Sequence, residues 1–164
     1  MSRHVMLDLE TLGSCQGGLI LSIGAVAFNN EGVTETFYRR IDIGSSLLAG
    51  FIVEEGNLKF WREQNEIAIA RAFYCDGAVS VQTALADFAQ FVSKQCLVWA
   101  KGPDYDCVLL SSAYKKLNIP LPWSFRNTRD VRTILALSGV KQKQSIDAHD
   151  ALVDARLQAE AAGV

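Results

Sequence analysis

The sequence predicts an α/β fold in which a mixed five-stranded sheet is flanked by helices. Three extended segments come first along the chain, separated by short polar stretches, as in an antiparallel meander. Segments with helical spacing then alternate with two further short strands, a pattern that is typical of a sheet with crossover connections. Together these two observations predict the mixed sheet.

The three strands of the meander differ in their hydrophobic patterns. Residues 4–10 alternate between apolar side chains on one face and Met6, Asp8 and Glu10 on the other. The run LILSIGAVAF is nearly continuous, which suits a strand that is covered on both faces. After a turn at NNEG, the segment VTETFYRRID is rich in β-branched and aromatic residues and is predicted as the third strand.

Apolar residues at helical spacing predict the helices that follow. Ser80 and Asp130 precede two of these helices as candidate caps, and Gly139 stands where one would end. The predicted helices are residues 57–73, 80–94, 105–118, 131–139 and 148–163. The predicted strands between them are residues 96–102 and 124–131.

Composition narrows the class of protein. With 164 residues and 49% hydrophobic residues, the chain is expected to form a single domain, residues 1–164, without a disulfide or structural metal. The four cysteines have no CxxC spacing and the N-terminus has no apolar signal-peptide core, so a cytoplasmic protein with buried thiols is expected. The longest apolar run is too short to span a membrane. A net charge of -2 argues against a protein that grips long nucleic acid mainly by counterion release.

Four acidic residues lie at the ends of predicted elements, where side chains can converge. Asp8 and Glu10 share a face of the first strand, Asp106 starts a helix, and Asp154 lies in the last helix. Each acid alone has an ordinary explanation as a helix cap or an exposed side chain. A cluster of carboxylates raises the pKa values of its members unless a positive charge intervenes. Because Mg2+ prefers hard oxygen ligands, we predict a metal site, and two ions about 3.5 to 4 Å apart would suit phosphodiester hydrolysis.

A hydrolytic site also needs a group that accepts the proton of the attacking water. His149 lies five residues before Asp154, which in a regular helix would point the two side chains apart. We therefore predict that His149 lies in the first helical turn or the preceding loop, from where it can reach the metal site. His4 is expected to flank the first strand at the surface.

Three segments resemble the exonuclease motifs of the DEDDh, or DnaQ-like, 3'-5' exonucleases: DLETLG with Asp8 and Glu10, WAKGPDYDCVLL with Asp106, and HDALVDA with His149 and Asp154. The resemblance spans about residues 3 to 162 and is greatest to the small stand-alone exoribonuclease-like branch of bacteria and phages. It implies a ribonuclease H-like fold, two Mg2+ or Mn2+ ions held by the four acids, His149 as general base, and release of nucleoside 5'-monophosphates.

The resemblance also implies a set of contacts with the substrate. The partner would be the 3' end of a nucleic acid, RNA in preference to DNA, and many relatives are homodimers. Leu12 would act as a wedge against a base, although core packing is the competing interpretation for Trp61. The implied substrate contacts are Leu9, Thr11, Leu12, Gly13, Trp61, Gln64 and Lys101.

Departures from the family pattern leave alternatives open. Lys101 stands where relatives often have Asn, and Asp150 shares a helix face with Asp154, which we favour as the ligand because it matches the motif. A DNA-specific exonuclease is the alternative within the same family. DLETLG distantly resembles haloacid dehalogenase-like phosphatases, but the second acid of that motif is Asp where this chain has Glu10. A non-catalytic nucleic-acid-binding module would normally lack at least one of the four acids.

Overall fold

The computed structural model describes residues 3–141 and 149–163. One five-stranded sheet has the strand order β3-β2-β1-β4-β5. β2 is antiparallel to both β1 and β3, whereas β4 is parallel to β1 and to β5, so the predicted mixed sheet is confirmed. The strands are β1 His4–Thr11, β2 Ile20–Asn29, β3 Gly32–Arg40, β4 Leu97–Ala100 and β5 Thr128–Asp130.

Helices cover both faces of this sheet. Ser80 and Asp130 cap helices as predicted, and Gly139 ends one in the left-handed conformation with φ 70°. The helices are α1 Ile43–Leu48, α2 Glu55–Arg62, α3 Glu66–Phe73, α4 Val81–Phe91, α5 Asp106–Lys116, α6 Val131–Ser138 and α7 Ala151–Ala161. A short 3-10 turn, Phe125–Asn127, precedes β5.

Some local predictions need correction. Residues 57–73 form two helices, because Asn65 leaves the helical conformation and its side chain accepts the N–H of Ala68 as the cap of α3. Helix α1 lies before residue 57, where the sequence pattern predicts no helix, and the carboxylate of Asp42 caps it. Ala148, predicted as the first residue of the last helix, lies outside the described residues.

The cysteine prediction is confirmed only in part. All four cysteines are free thiols. Cys96 and Cys107 are buried, but Cys75 is exposed and Cys15 is only half-buried. Among residues 3–141 and 149–163, no helix has the length and apolar character needed to cross a bilayer.

The central strand β1 separates two apolar cores. Leu7 and Leu9 belong to the larger core, where β1 packs with α4 and α5. Met6 belongs to a smaller core on the other face, which is closed by α7 and α6. Asp8 and Glu10 follow Met6 on that second face because side chains alternate along a strand. The alternation therefore places both carboxylates under the last helix of the chain.

Helix α7 lies unusually close to the sheet. Ala151, Ala155 and Ala159 are fully buried against it, and their small side chains permit a short helix-to-sheet distance. The tightest approach is at Gly24 of β2, where a Cβ atom would overlap the backbone of Ala151 and Leu152. This close packing positions the first turn of α7 directly over β1 and β2.

Candidate active site

Three carboxylates converge where β1 passes beneath the start of α7. Asp8 lies opposite Gly24 and Glu10 opposite Ser22 in the β1–β2 ladder. Asp154, in the first turn of α7, completes a triangle with them, and one ligand oxygen from each lies within 4.8 Å of the others. Residues separated by about 145 positions in sequence thus form one acidic pocket.

The fourth acid, Asp106, comes from the side of β1 on which the parallel strand β4 lies. It is the first residue of α5, only 5% exposed, in the connection that follows β4. The backbone of Leu9 hydrogen-bonds to its carboxyl group. Asp106 is not part of the three-acid triangle, but its charge raises the pKa of both Asp8 and Glu10, so the four acids form one electrostatic cluster.

Burial and mutual repulsion shift these acids strongly toward their neutral forms. Burial and the nearby Asp154, Asp150 and Asp106 raise the pKa of Glu10 from 4.5 to about 8. The pKa of Asp8 rises well above 3.8, first through burial and then through Asp106, Glu10 and Asp154. Burial likewise raises the pKa of Asp106 to about 7. In the absence of a cation the cluster therefore retains protons near neutral pH, because ionising all four acids would place like charges together in a buried pocket.

The donor set fits a divalent metal ion. Carboxylate oxygens are the ligands that Mg2+ and Mn2+ prefer, and none of the four acids forms an ion pair within the part of the chain that the structure describes. Burial raises the pKa of Asp154, whereas the hydrogen bond from the backbone of His149 and, more weakly, the nearby charge of Lys101 lower it. Asp8, Glu10 and Asp154 can hold one ion, with Asp106 beside them.

His149 lies in the loop immediately before α7, as the sequence predicted. Its backbone is in the left-handed region with φ 69°, which is uncommon for a residue other than glycine. The backbone N–H donates to the Oδ2 atom of Asp154 at 3.0 Å. Its ring meets Phe60 and Trp61 edge to face, with centroids 5.1 and 6.0 Å away. The imidazole is thus held next to the acids by both main chain and side chains.

The residues after Glu10 are fixed by contacts from three directions. The Oγ1 atom of Thr11 and the hydroxyl of Tyr105 are 2.8 Å apart, and the indole N–H of Trp61 donates to the carbonyl of Thr11 at 2.9 Å. Gly13 has no room for a side chain, because a Cβ there would meet the carbonyl of Ile52 and the Cα of Gly18. The segment is rigidly supported beside the acids.

The expected substrate contacts divide into buried and accessible residues. Leu9, Leu12 and Trp61 are at most 6% exposed and offer almost no surface to a ligand in this conformation. Gln64 is half-buried and donates to the carbonyl of Phe60, and Lys101 is exposed near Asp154. Trp61 is thus a core residue, as the competing interpretation holds, and its indole N–H hydrogen-bonds to the backbone of Thr11.

Three residues that sequence reasoning did not select take part in the site. Phe60, next to Trp61, is 42% exposed and is the aromatic side chain that borders His149 from the open side. Gly24 permits the close approach of α7, and Gln158 donates to the Oδ1 atom of Asp8 at 2.7 Å. The available signals were a glycine inside an apolar strand and a glutamine one turn after Asp154.

The additional acids near the motifs have structural roles. The carboxylate of Asp150 caps α7 by accepting the N–H groups of Leu152 and Val153. Asp104 pairs with Arg132 at 2.9 Å on the surface. These contacts agree with the choice of Asp154 over Asp150 as the metal ligand.

A mixed sheet in this strand order, with carboxylates on its central strand and under its last helix, defines the class of ribonuclease H-like nuclease folds. The chain belongs to the family described as the 3'-5' exoribonuclease Rv2179c-like domain, whose model matches residues 3–164. A search of curated proteins found no significant match.

Solved exonuclease I structures share the fold. A zinc-bound complex of E. coli exonuclease I with single-stranded DNA superposes with a TM-score of 0.70 at 14% identity, covering 98% of this chain and 39% of that chain. Apo exonuclease I gives 0.68 at 13% identity, covering 99% and 41%. E. coli exonuclease I with a dT13 oligonucleotide gives 0.64 at 16% identity, covering 99% and 40%. This chain therefore spans about two-fifths of the length of those proteins.

Proposed function

We propose that this chain is a metal-dependent 3'-5' exonuclease that releases nucleoside 5'-monophosphates from a nucleic acid, with single-stranded RNA preferred over DNA. The observation that carries the proposal is the convergence of Asp8, Glu10 and Asp154 within 4.8 Å beside His149. Membership of an exoribonuclease domain family favours RNA. That family match over residues 3–164 also supports treating the chain as one exonuclease domain.

Each residue of the cluster has a defined part in the proposed hydrolysis. Asp8, Glu10 and Asp154, together with Asp106, would hold two Mg2+ or Mn2+ ions. When bound, the ions supply positive charge that lowers the pKa of water and stabilises the charge on the phosphate. His149 accepts the proton of the attacking water at a ring nitrogen. As the water oxygen bonds to phosphorus, the bond from phosphorus to the 3' oxygen breaks, and that oxygen takes a proton from solvent.

The substrate end is proposed to lie along the segment after β1. Thr11, Leu12 and Gly13 are themselves buried and would support this end of the site from beneath, whereas the exposed Lys101 would lie near the terminal phosphate. Phe60 presents the aromatic surface for the base, because Trp61 is turned into the core. Base stacking on an aromatic ring tolerates any sequence, which suits an exonuclease.

The decisive experiment incubates purified protein with 3'-ended RNA and DNA oligomers of one sequence, with Mg2+, Mn2+ or EDTA. We expect mononucleotides to appear one at a time from the 3' end, faster from RNA, and no products with EDTA. Asp8→Asn is the matched control, since it keeps the side-chain shape and removes a ligand charge. Full activity of that variant would refute the site.

The same assay separates the competing classes. A haloacid dehalogenase-like phosphatase would form a phospho-aspartate on Asp8, which leaves His149 and Asp106 without a role. A binding module would retain oligomers without cutting them. If DNA is cleaved faster than RNA, the proposed substrate preference is wrong, but the proposed catalytic site still stands.

We also propose a homodimer in the cytoplasm. Leu48 and Leu137 are 92% and 82% exposed, and we propose that apolar side chains of this kind contact the second copy. The free thiols suit a reducing compartment. Light scattering of the purified protein measures the dimer directly, and a monomeric mass at micromolar concentration would refute it.

A further inference from the structure

Gln158 is a buried polar residue on a helix face that is otherwise made of alanine. The fully or nearly buried residues of α7 are Ala151, Ala155, Gln158 and Ala159. Gln158 is only 3% exposed, and its Oε1 atom has no hydrogen-bond partner within the described parts of the chain. Burying an unpaired amide oxygen costs free energy, so packing alone would favour an apolar residue here.

The other end of the Gln158 amide makes a specific contact. Its Nε2 atom donates to the Oδ1 atom of Asp8 at 2.7 Å. The ionised carboxylate that binds a metal only accepts hydrogen bonds, so the amide directs its N–H2 group toward Asp8, and its Oε1 atom finds no partner among the described residues. This contact lowers the pKa of Asp8, opposing the effect of burial and the neighbouring acids.

The contact also acts on the geometry of the whole cluster. Gln158 lies one helical turn after Asp154, on the same side of α7. Its bond to Asp8 therefore fixes the rotation of α7 relative to β1. It also occupies the Oδ1 atom of Asp8, so that the Oδ2 atom is the one left to bind a metal ion.

We propose that Gln158 is a positioning residue that orients Asp8 for metal binding and keeps α7 in register with β1. This inference rests on the proposed metal site and names a determinant of its affinity. Partners that hydrogen-bond to metal ligands typically contribute about 10- to 100-fold to metal affinity or activity. Gln158 contributes to the reaction only through Asp8.

The test uses Gln158→Met, which keeps the length of the side chain and removes its amide. Gln158→Leu is a second variant that removes the amide with a side chain of different shape. Gln82→Met is the matched control, because Gln82 is exposed on α4, on the other side of the sheet. We expect the Kd for Mn2+, measured by calorimetry, to rise about tenfold or more in both Gln158 variants and to stay unchanged in the control. Saturating Mn2+ should restore most of kcat, because the ligands themselves are intact.

The outcomes separate this inference from the proposed function. Equal Mn2+ affinity in wild type and Gln158→Met would overturn the positioning role and leave the metal site in place. Loss of folding in both Gln158 variants would make the residue structural and would also overturn the inference. Failure of the wild-type chain to bind Mn2+ would refute the metal site as well.

Discussion

The backbone N–H of His149 donates to the Oδ2 atom of Asp154 at 3.0 Å, so a proposed metal ligand and the proposed proton acceptor are joined through the main chain. The imidazole is not needed for this bond. A substitution at His149 can therefore remove the ring while the support of Asp154 stays intact. The two roles are separable by experiment.

His149→Asn should lower kcat by about 100-fold or more, the usual contribution of a general base, without weakening metal binding. Asn tolerates the left-handed backbone of this position, which has φ 69°. Steady-state kinetics and Mn2+ calorimetry on the same preparation give both values. A parallel loss of metal affinity would mean that the ring supports Asp154 structurally.

Substitution by asparagine should have different effects at Asp150 and at Asp154. Asp150→Asn keeps a good helix cap and should leave turnover nearly unchanged, whereas Asp154→Asn removes a ligand charge and should abolish it. Asp150→Ala should lower the free energy of unfolding by about 1 kcal/mol through loss of the cap. Oligonucleotide cleavage and denaturant unfolding check these results, and greater damage from Asp150→Asn would reassign the ligand.

The metal-free protein should lose stability as the pH rises. Folding raises the pKa of Glu10 from 4.5 to about 8 and of Asp106 to about 7, so the folded state binds these protons more tightly than the unfolded chain does. That stability is complete below the unfolded pKa values and is lost as the pH passes the folded ones. Thermal unfolding with EDTA should therefore show a falling Tm between pH 5 and pH 8.

Added Mn2+ should raise the Tm most at the upper end of the same range, because the ligands must be deprotonated to bind it. Asp8→Asn should reduce the pH dependence in EDTA by removing one of the interacting charges. A Tm that is independent of pH in EDTA would contradict the raised pKa values.

Gly24→Ala should impair activity although glycine has no side chain that could bind metal or substrate. The added methyl group would overlap the backbone of Ala151 and Leu152, so α7 would have to move away from the sheet together with Asp154. Overpacking of this kind costs about 1–3 kcal/mol. Gly56→Ala is the control, because a Cβ there meets nothing within 4 Å, and it should keep full activity. Equal behaviour of the two variants in unfolding and cleavage assays would refute the close-packing argument.

Phe60→Leu should raise KM for oligonucleotides with little change in kcat. Leucine keeps apolar contact with His149 but lacks the flat surface on which a base stacks, worth about 1–3 kcal/mol, which corresponds to a rise of about fivefold or more. Phe125→Leu, the same substitution at a more exposed phenylalanine that starts a 3-10 turn, should leave KM unchanged. A lower kcat at constant KM would instead assign Phe60 to holding His149.

Local sequence patterns predicted much of this molecule. The alternation in β1 placed Asp8 and Glu10 on one face, and the capping residues Ser80 and Asp130 marked the starts of α4 and α6. Such features depend on neighbours a few residues away, so the sequence records them directly. The break at Asn65 was missed because apolar residues at helical spacing continue on both sides of it.

Contacts between distant segments were less accessible to sequence reasoning. Trp61 and Phe60 are adjacent on α2, and only the packing of that helix against Thr11 decides that the indole is buried and the phenyl ring is exposed. The pairing of Gln158 with Asp8 joins residues 150 positions apart, which no periodic pattern can reveal.

The amino-acid sequence alone establishes which chemical groups this protein possesses and the local elements that carry them, because backbone preferences and side-chain alternation act over a few residues. Folding determines the distances among Asp8, Glu10, Asp106 and Asp154. It also determines how far their carboxyl groups are removed from solvent. Their raised pKa values and their fitness for a metal ion come from those distances and that burial, since the free energy of a charge depends on its surroundings.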